Sequence, residues 1–170
     1  ELKKSVPLSI AYARLELGLG EERKAFARLQ ALTQTAKLSD AERQRVSLFR
    51  ARAAMGLGDY AGALAELSPL TEDPTAIGVE ALAYHGLAQS LVGKHDEARR
   101  ELTAAVAGAR EQKLSRLEAL ALASLGLVLQ RSDRSDEARD AYRLALTAAE
   151  RIGDAGTLAT VQLNLAGLLK

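Results

Sequence analysis

The 170-residue chain has no cysteine, no tryptophan and only three prolines. Without cysteine there is no disulfide framework, no thiolate metal site and no thiol nucleophile. That absence suits a cytosolic or a periplasmic protein, and a cytoplasmic one is the expectation taken here. Valine and isoleucine together number only 10, and because β-branched residues favour strands, their scarcity argues against a sheet. Charge of one sign is missing as well. With 23 basic and 22 acidic residues the net charge is +1, which leaves no global field to hold a polyanion and counts against nucleic acid and anionic membrane as partners. No run of about 18 apolar residues occurs, so no membrane insertion is expected. The opening Glu1-Leu2-Lys3-Lys4 has neither an initiator Met nor a signal-peptide core, which points to an excised fragment of a longer chain.

What is present in abundance is alanine and leucine, 33 and 31 residues. They are the strongest apolar helix formers, so the fold class expected is all-α. With 48% hydrophobic residues the chain is not expected to be disordered. Sixteen Arg against seven Lys, beside so much Ala, hints at a GC-rich bacterial genome.

Internal repeats organise these residues. Leu17-Gly18-Leu19-Gly20-Glu21 with Ala25 and Leu29 matches Met55-Gly56-Leu57-Gly58-Asp59 with Ala63 and Leu67. Gly86 through Leu102 matches Gly126 through Tyr142, and both stretches contain Asp-Glu-Ala-Arg. One template covers all of them. A first helix carries a small residue near its middle (Ala13, Ala51, Gly86, Gly126, Ala166), a short turn follows, and a second helix places Ala at 25, 63, 98 and 138. Four residues on stands Leu29, Leu67, Leu102 or Tyr142, and three beyond that Leu32, Leu70, Ala105 or Ala145. The 4-then-3 spacing is one stripe of a helix. Small residues belong where two helices approach closely, because a larger side chain would hold their axes apart. The small residues recur at 35 to 40 residues, which predicts a repeat architecture.

Helices are expected at about 6–18, 21–36, 40–56, 60–71, 74–92, 95–112, 116–131, 136–152 and 155–169, with residues 1–5 as the end of an earlier helix. Ser39-Asp40-Ala41-Glu42 and Ser115-Arg116-Leu117-Glu118 fit capping boxes. Asp73-Pro74 fits an N-cap followed by Pro. Ser135 can cap the helix opening at Asp136, and Gly153 can close it in a left-handed conformation. No composition shift marks a second domain, so residues 1–170 are expected to be one repeat domain.

The template resembles the tetratricopeptide repeat, a helix–turn–helix unit of about 34 residues. Gly58-Asp59-Tyr60-Ala61-Gly62-Ala63-Leu64 is similar to that family's Gly-Asp-Tyr-x-x-Ala-Leu turn, and Leu125-Gly126 with Ala138, Tyr142 and Ala145-Leu146 to its Leu-Gly…Ala…Tyr…Ala-Leu skeleton. The resemblance covers about residues 6–170, as four repeats and the first helix of a fifth. No Trp fills the early slot of the first helix, Arg50 and His85 stand where Leu is usual, and the long period resembles the kinesin-light-chain and bacterial variants. The implied fold is a right-handed superhelical solenoid of antiparallel helix pairs. The implied function is a non-catalytic scaffold that holds a partner's peptide or helix in its concave groove.

No catalytic constellation competes with this. The adjacent acids Glu21-Glu22, Asp96-Glu97 and Asp136-Glu137 invite a general acid–base reading. Each pair, however, opens a second helix, where negative charge offsets the helix dipole. Gly18-Leu19-Gly20 and Gly56-Leu57-Gly58 follow no strand and read as interhelical turns. His85 sits beside Gly86 as a hydrogen-bonded packing residue. His95 is 10 residues away without an acidic partner at ligand spacing, so no metal site is expected. No cofactor, small-molecule substrate or enzymatic activity is expected.

Under the resemblance the groove would be lined by Ile10, Arg14, Arg45, Leu48, Phe49, Arg52, Met55, Glu80, Ala83, Tyr84, Leu87, Ser90, Leu127, Gln130, Arg131 and Asn164. Arg45, Phe49, Arg52 and Met55 share one helical face, and Arg beside an aromatic ring suits peptide recognition. The family's Lys and Asn clamp for a terminal carboxylate is missing. Its places carry Ile10 and Arg14, Leu48 and Arg52, and Ala83 and Leu87. Two rival functions remain. One is self-association, as a homodimer, through residues 155–170, where Val161, Leu163, Leu165, Leu168 and Leu169 lack a covering helix. The other is RNA reading by a helical repeat, which the near-neutral charge disfavours.

Overall fold

A computed structural model describes residues 5–168. Nine α-helices occur among them: α1 Val6–Gly18, α2 Glu22–Thr35, α3 Asp40–Gly56, α4 Tyr60–Leu67, α5 Ala76–Leu91, α6 His95–Glu111, α7 Ser115–Arg131, α8 Ser135–Ile152 and α9 Ala155–Leu168. No strand is present among the described residues. The earlier helix expected over 1–5 falls, apart from Ser5, outside the described residues, as do Leu169 and Lys170.

The chain divides into two compact units, one through Glu72 and the other from Asp73. In the first unit α2 lies against α1, and α3 against both. Its core gathers Ile10, Ala13, Ala25, Leu29, Leu32 and Val46. In the second, α6 packs on α5, α7 on α6 and α5, α8 on α7, and α9 on α8 and α7. Its core holds Ala98, Leu102, Ala119, Leu122, Ala138, Tyr142 and Val161.

The small-residue template is the packing. Ala13, Ala51, Ala25, Ala63, Ala98 and Ala138 are wholly buried, as are Leu29, Leu67, Leu102 and Tyr142. A Cβ added at Gly86 would stand 2.9 Å from Leu102 Cγ, and one at Gly126 would stand 2.5 Å from the Tyr142 ring. Ala166 departs from the template and is exposed. In α9, Val161 is buried and Leu163 is 75% exposed, while Leu165 and Leu168 pack partly against the core.

Six of the interhelical turns are one structure. Gly20, Gly58, Gly93, Lys113, Asp133 and Gly153 have positive φ. In each case the next residue's N–H reaches back five residues to a helix carbonyl, as Lys94 to Gln89 at 2.9 Å and Leu114 to Ala109 at 2.8 Å. This bond satisfies the carbonyls that a helix end leaves open. In the second unit the left-handed residues fall at 93, 113, 133 and 153, so the same turn joins helices within a pair and between pairs.

Three helix starts and one helix end differ from the expectation. Ser39 and Glu42 do form the capping box. Ser115 does not: the turn through Lys113 makes Leu114 the N-cap. Glu118 instead accepts from Arg110 Nε at 2.8 Å and Arg151 Nη2 at 3.1 Å, which ties α6 and α8 to α7. Likewise Arg134 replaces Ser135 as the N-cap of α8. Asp73 accepts the Thr75 N–H at 2.8 Å in a turn of its own, and α5 begins only at Ala76. Gly78 allows this, since a Cβ there would fall 1.9 Å from the Asp73 carbonyl oxygen. Finally, α4 ends at Leu67 and a single 3-10 turn covers Ser68–Leu70, because Pro69 has no N–H to continue the ladder.

Candidate functional site

The face singled out on α3 is fixed at its start by the capping box. Ser39 donates its N–H to Glu42 Oε2 at 2.8 Å, and the Ser39 backbone and hydroxyl hold the Glu42 carboxyl below its ordinary range. From there each residue advances about 100° around the helix. Measured from buried Ala51, Arg52 lies about 100° away, Arg45 about 120° and Phe49 about 160°. These three are exposed or half-buried. The Phe49 ring packs partly against its unit's core, and the Arg52 guanidinium carbon lies 5.6 Å from the ring centroid. A cation thus lies over the ring, in an arrangement worth about 0.5–1 kcal/mol at an exposed site.

The same angles explain the candidates that do not present a surface. Leu48 lies only about 60° from Ala51 and is 2% exposed, so it belongs to the packing and is withdrawn from the contact face. Ile10 and Ala83 stand at the same angle from Ala13 and Gly86, and both are buried. Met55 and Ser90 lie about 40° from their small residues; Met55 is half-buried and Ser90 buried. Arg14, about 100° from Ala13, is exposed on α1.

In the second unit Glu80, Tyr84, Leu87 and Leu127 are half-buried and Arg131 is exposed. Gln130 has a different task, accepting the Tyr142 hydroxyl at 3.0 Å. Burial pushes the Tyr142 phenol up to about 12, against the opposing pull of a hydrogen bond with Asn164 and the charge of Arg131. Gln130 and Asn164 therefore serve a buried hydroxyl before any partner.

A set of polar pairs was not foreseen. The residue just before each small residue meets the residue three beyond the buried alanine of the second helix. Arg28 sits over the Tyr12 ring at 5.3 Å, Arg50 pairs with Glu66 at 3.0 Å, and His85 Nδ1 is 2.8 Å from Glu101 Oε2. In the fourth pair the slot holds Leu125 and Ala141. Arg28 also grips the buried Glu16 at 2.6 Å, and Arg50 lies 5.5 Å over Phe26. The signal in the sequence was Arg50 and His85, each with an acid sixteen residues on.

The adjacent acids do open α2, α6 and α8. They form local ion pairs there, such as Glu21 with Lys24 at 2.8 Å and Asp136 with Arg139 at 2.9 Å. Among the described residues no three His, Asp or Glu side chains cluster in a metal-binding group, and no helix is long and apolar enough to cross a membrane. No family model matches the chain, and neither does any curated protein.

Proposed function

We propose that the chain is a solenoid of the tetratricopeptide kind acting as a non-catalytic protein-interaction module, which holds a peptide or helix of a partner protein against the outward faces of its first helices. The observation that carries this reading is the Arg52–Phe49 stack on α3. The ring is anchored in the core of its unit, so its exposed side and the guanidinium over it are ordered before a partner arrives. Ordering in advance lowers the entropy lost on binding. Aromatic and Arg side chains are also the types that dominate interface energetics. Support also comes from the helix pairs themselves, whose buried Ala and Gly stripes leave the opposite faces of the first helices clear of their own second helices. Selection of peptides from a random display library against the intact chain tests the reading. Selected peptides should bind Arg52→Ala, and Phe49→Ala with Arg52→Ala, at least tenfold more weakly by fluorescence anisotropy, with helix content retained. Failure to select a peptide, or equal binding by these variants, would refute it.

A second reading, self-association through α9, draws on Leu163, which is 75% exposed on a helix with no charged residue between 155 and 168. A chain that sediments as a monomer at every concentration would remove it.

A further inference from the structure

We propose that the groove between α6 and α8, floored by α7, binds an acidic segment of another protein, with Arg99 holding one of its carboxylates. Glu118 fixes how the three helices meet. From α7 it accepts from Arg110 of α6 at 2.8 Å and from Arg151 of α8 at 3.1 Å. Those two arginines therefore mark the sides of α6 and α8 that face each other, at one level of the groove.

A step of eleven residues along a helix returns to within about 20° of the same side, about 16 Å along the axis. Taken backwards on α6 and α8 and forwards on α7, which runs the other way, it leads to Arg99, Asp140 and Leu129. Where the first level has a carboxylate between its two side chains, this one has Leu129, which is buried. Arg99 is half-buried, its Nε is buried without a hydrogen-bond partner, and it has no ion pair among the described residues. Asp140 pairs instead with Arg143 at 3.6 Å. The other half-buried arginines of this unit, Arg134 and Arg139, hold Glu137 and Asp136. Taking a charge out of water without a counter-ion is expensive, and a carboxylate from outside removes that cost with a charge-assisted hydrogen bond.

A second observation lies on the same wall. Leu144, seven residues before Arg151 and so on the same side of α8, is 50% exposed. It stands about 6 Å along the axis from the level of Arg99. The groove thus presents Arg99, then Leu144, then Arg110 and Arg151 sharing the single carboxylate of Glu118. Three arginines face Glu118 and an Asp140 already engaged by Arg143, so the charge of the walls selects an acidic occupant. An extended chain advances about 3.3 Å per residue. An acid on Arg99 therefore sets the residue two further on against Leu144, and the residue five further on between Arg110 and Arg151. The segment sought carries an acid, an aliphatic residue and a second acid at those places. None of these residues belongs to the α3 face.

The test titrates the intact chain into the fluorescein-labelled peptide Ser-Asp-Gly-Leu-Gly-Ser-Asp-Ser and its reversed sequence, which offer the pattern in either chain direction, at low salt. Saturable binding of one of them is expected by anisotropy, weakened tenfold or more by Arg99→Gln with helix content retained. Exchanging the peptide's Asp nearer to its Leu for Asn should weaken binding to the native chain equally, and add nothing to the loss in Arg99→Gln. Phe49→Ala with Arg52→Ala should leave this binding unchanged, so failure of either reading leaves the other standing. Absence of saturable binding by both peptides overturns the proposal, as does equal binding by Arg99→Gln. Displacement of the peptide by an equal concentration of acetate or inorganic phosphate would make this a site for free anions and overturn it as well.

Discussion

Replacing Gly126 by Ala adds one carbon where two helices are closest. That carbon would lie 2.5 Å from two carbons of the Tyr142 ring, whereas carbon atoms in contact prefer about 3.5–4.0 Å. Either α7 and α8 part by about 1 Å or the ring moves by as much, and the ring is buried with its hydroxyl 3.0 Å from Gln130. Overpacking of this kind costs about 1–3 kcal/mol, and the better helix propensity of Ala returns about 1 kcal/mol. A net loss of up to about 2 kcal/mol is expected. At Gly86 the added carbon meets Leu102 Cγ at 2.9 Å, the Ala98 carbonyl oxygen at 3.2 Å and Glu101 Cβ at 3.3 Å. These contacts are longer than the 2.5 Å approaches at Gly126, so Gly86→Ala should cost less than Gly126→Ala. The decisive comparison changes the background. Ala13 with Leu29 and Ala51 with Leu67 are wholly buried pairs at the same slots, so Gly126→Ala combined with Tyr142→Leu rebuilds a combination the chain already uses. In the Tyr142→Leu background Gly126→Ala should cost nothing or stabilise, giving a coupling of about 1–2 kcal/mol between the two sites. Urea unfolding followed by far-UV circular dichroism measures all four corners of the cycle. Equal cost of Gly126→Ala in both backgrounds would show that the ring does not claim the space the glycine leaves.

Two further outcomes follow from the turns and the buried phenol. Lys113 occupies a left-handed position that glycine fills in four equivalent turns, at a cost of about 1–2 kcal/mol for a residue with a side chain. Lys113→Gly should therefore raise stability by about 0.5–1 kcal/mol once glycine's greater unfolded freedom is allowed for, and Asp133→Gly by less, since Asp tolerates this region better; thermal unfolding that shows a loss for Lys113→Gly refutes the strain. Tyr142 is raised in the folded chain to about 12 from its ordinary value near 10. Its contribution is thus complete below about pH 10 and is lost as the pH climbs toward 12, because the unfolded chain releases that proton first. Ultraviolet titration should show one delayed tyrosinate step, absent in Tyr142→Phe.

The helices and their contact stripes were legible because their causes are local. Alanine and leucine set helix propensity, and small residues recurring with the period of a repeat mark close approach whatever surrounds them. Gly153 announced its turn, whereas Lys113 and Asp133 did not. A Lys side chain does not ask for positive φ and an Asp side chain only tolerates it, so neither marked the place where the preceding helix stops. The lost caps at Ser115 and Ser135 have the same origin, since a turn fixed by the previous helix end puts Leu114 and Arg134 at the N-cap. On the candidate face, Arg45 is exposed and Phe49 and Arg52 are half-buried, while Leu48 is buried. A residue about 60° from the contact stripe goes in or out according to what lies alongside, and one helix's periodicity cannot show that.

The polar slot carries information of another kind. A chain of near-identical helix pairs invites wrong pairing, because any second helix offers nearly the same Ala and Leu stripe to any first helix. At the slot beside that stripe the four pairs differ: Tyr12 with Arg28, Arg50 with Glu66, His85 with Glu101 and Leu125 with Ala141. Exchanging partners would set Arg50 against Arg28, or Leu125 against the Glu101 carboxylate, leaving a charge repelled or partly buried without a counter-ion. The correct pairs gain little net stability, because desolvation offsets much of their attraction. The mismatched ones lose a great deal, since an uncompensated charge is expensive to bury. The apolar stripe is thus nearly the same in every pair, whereas the slot next to it differs from pair to pair.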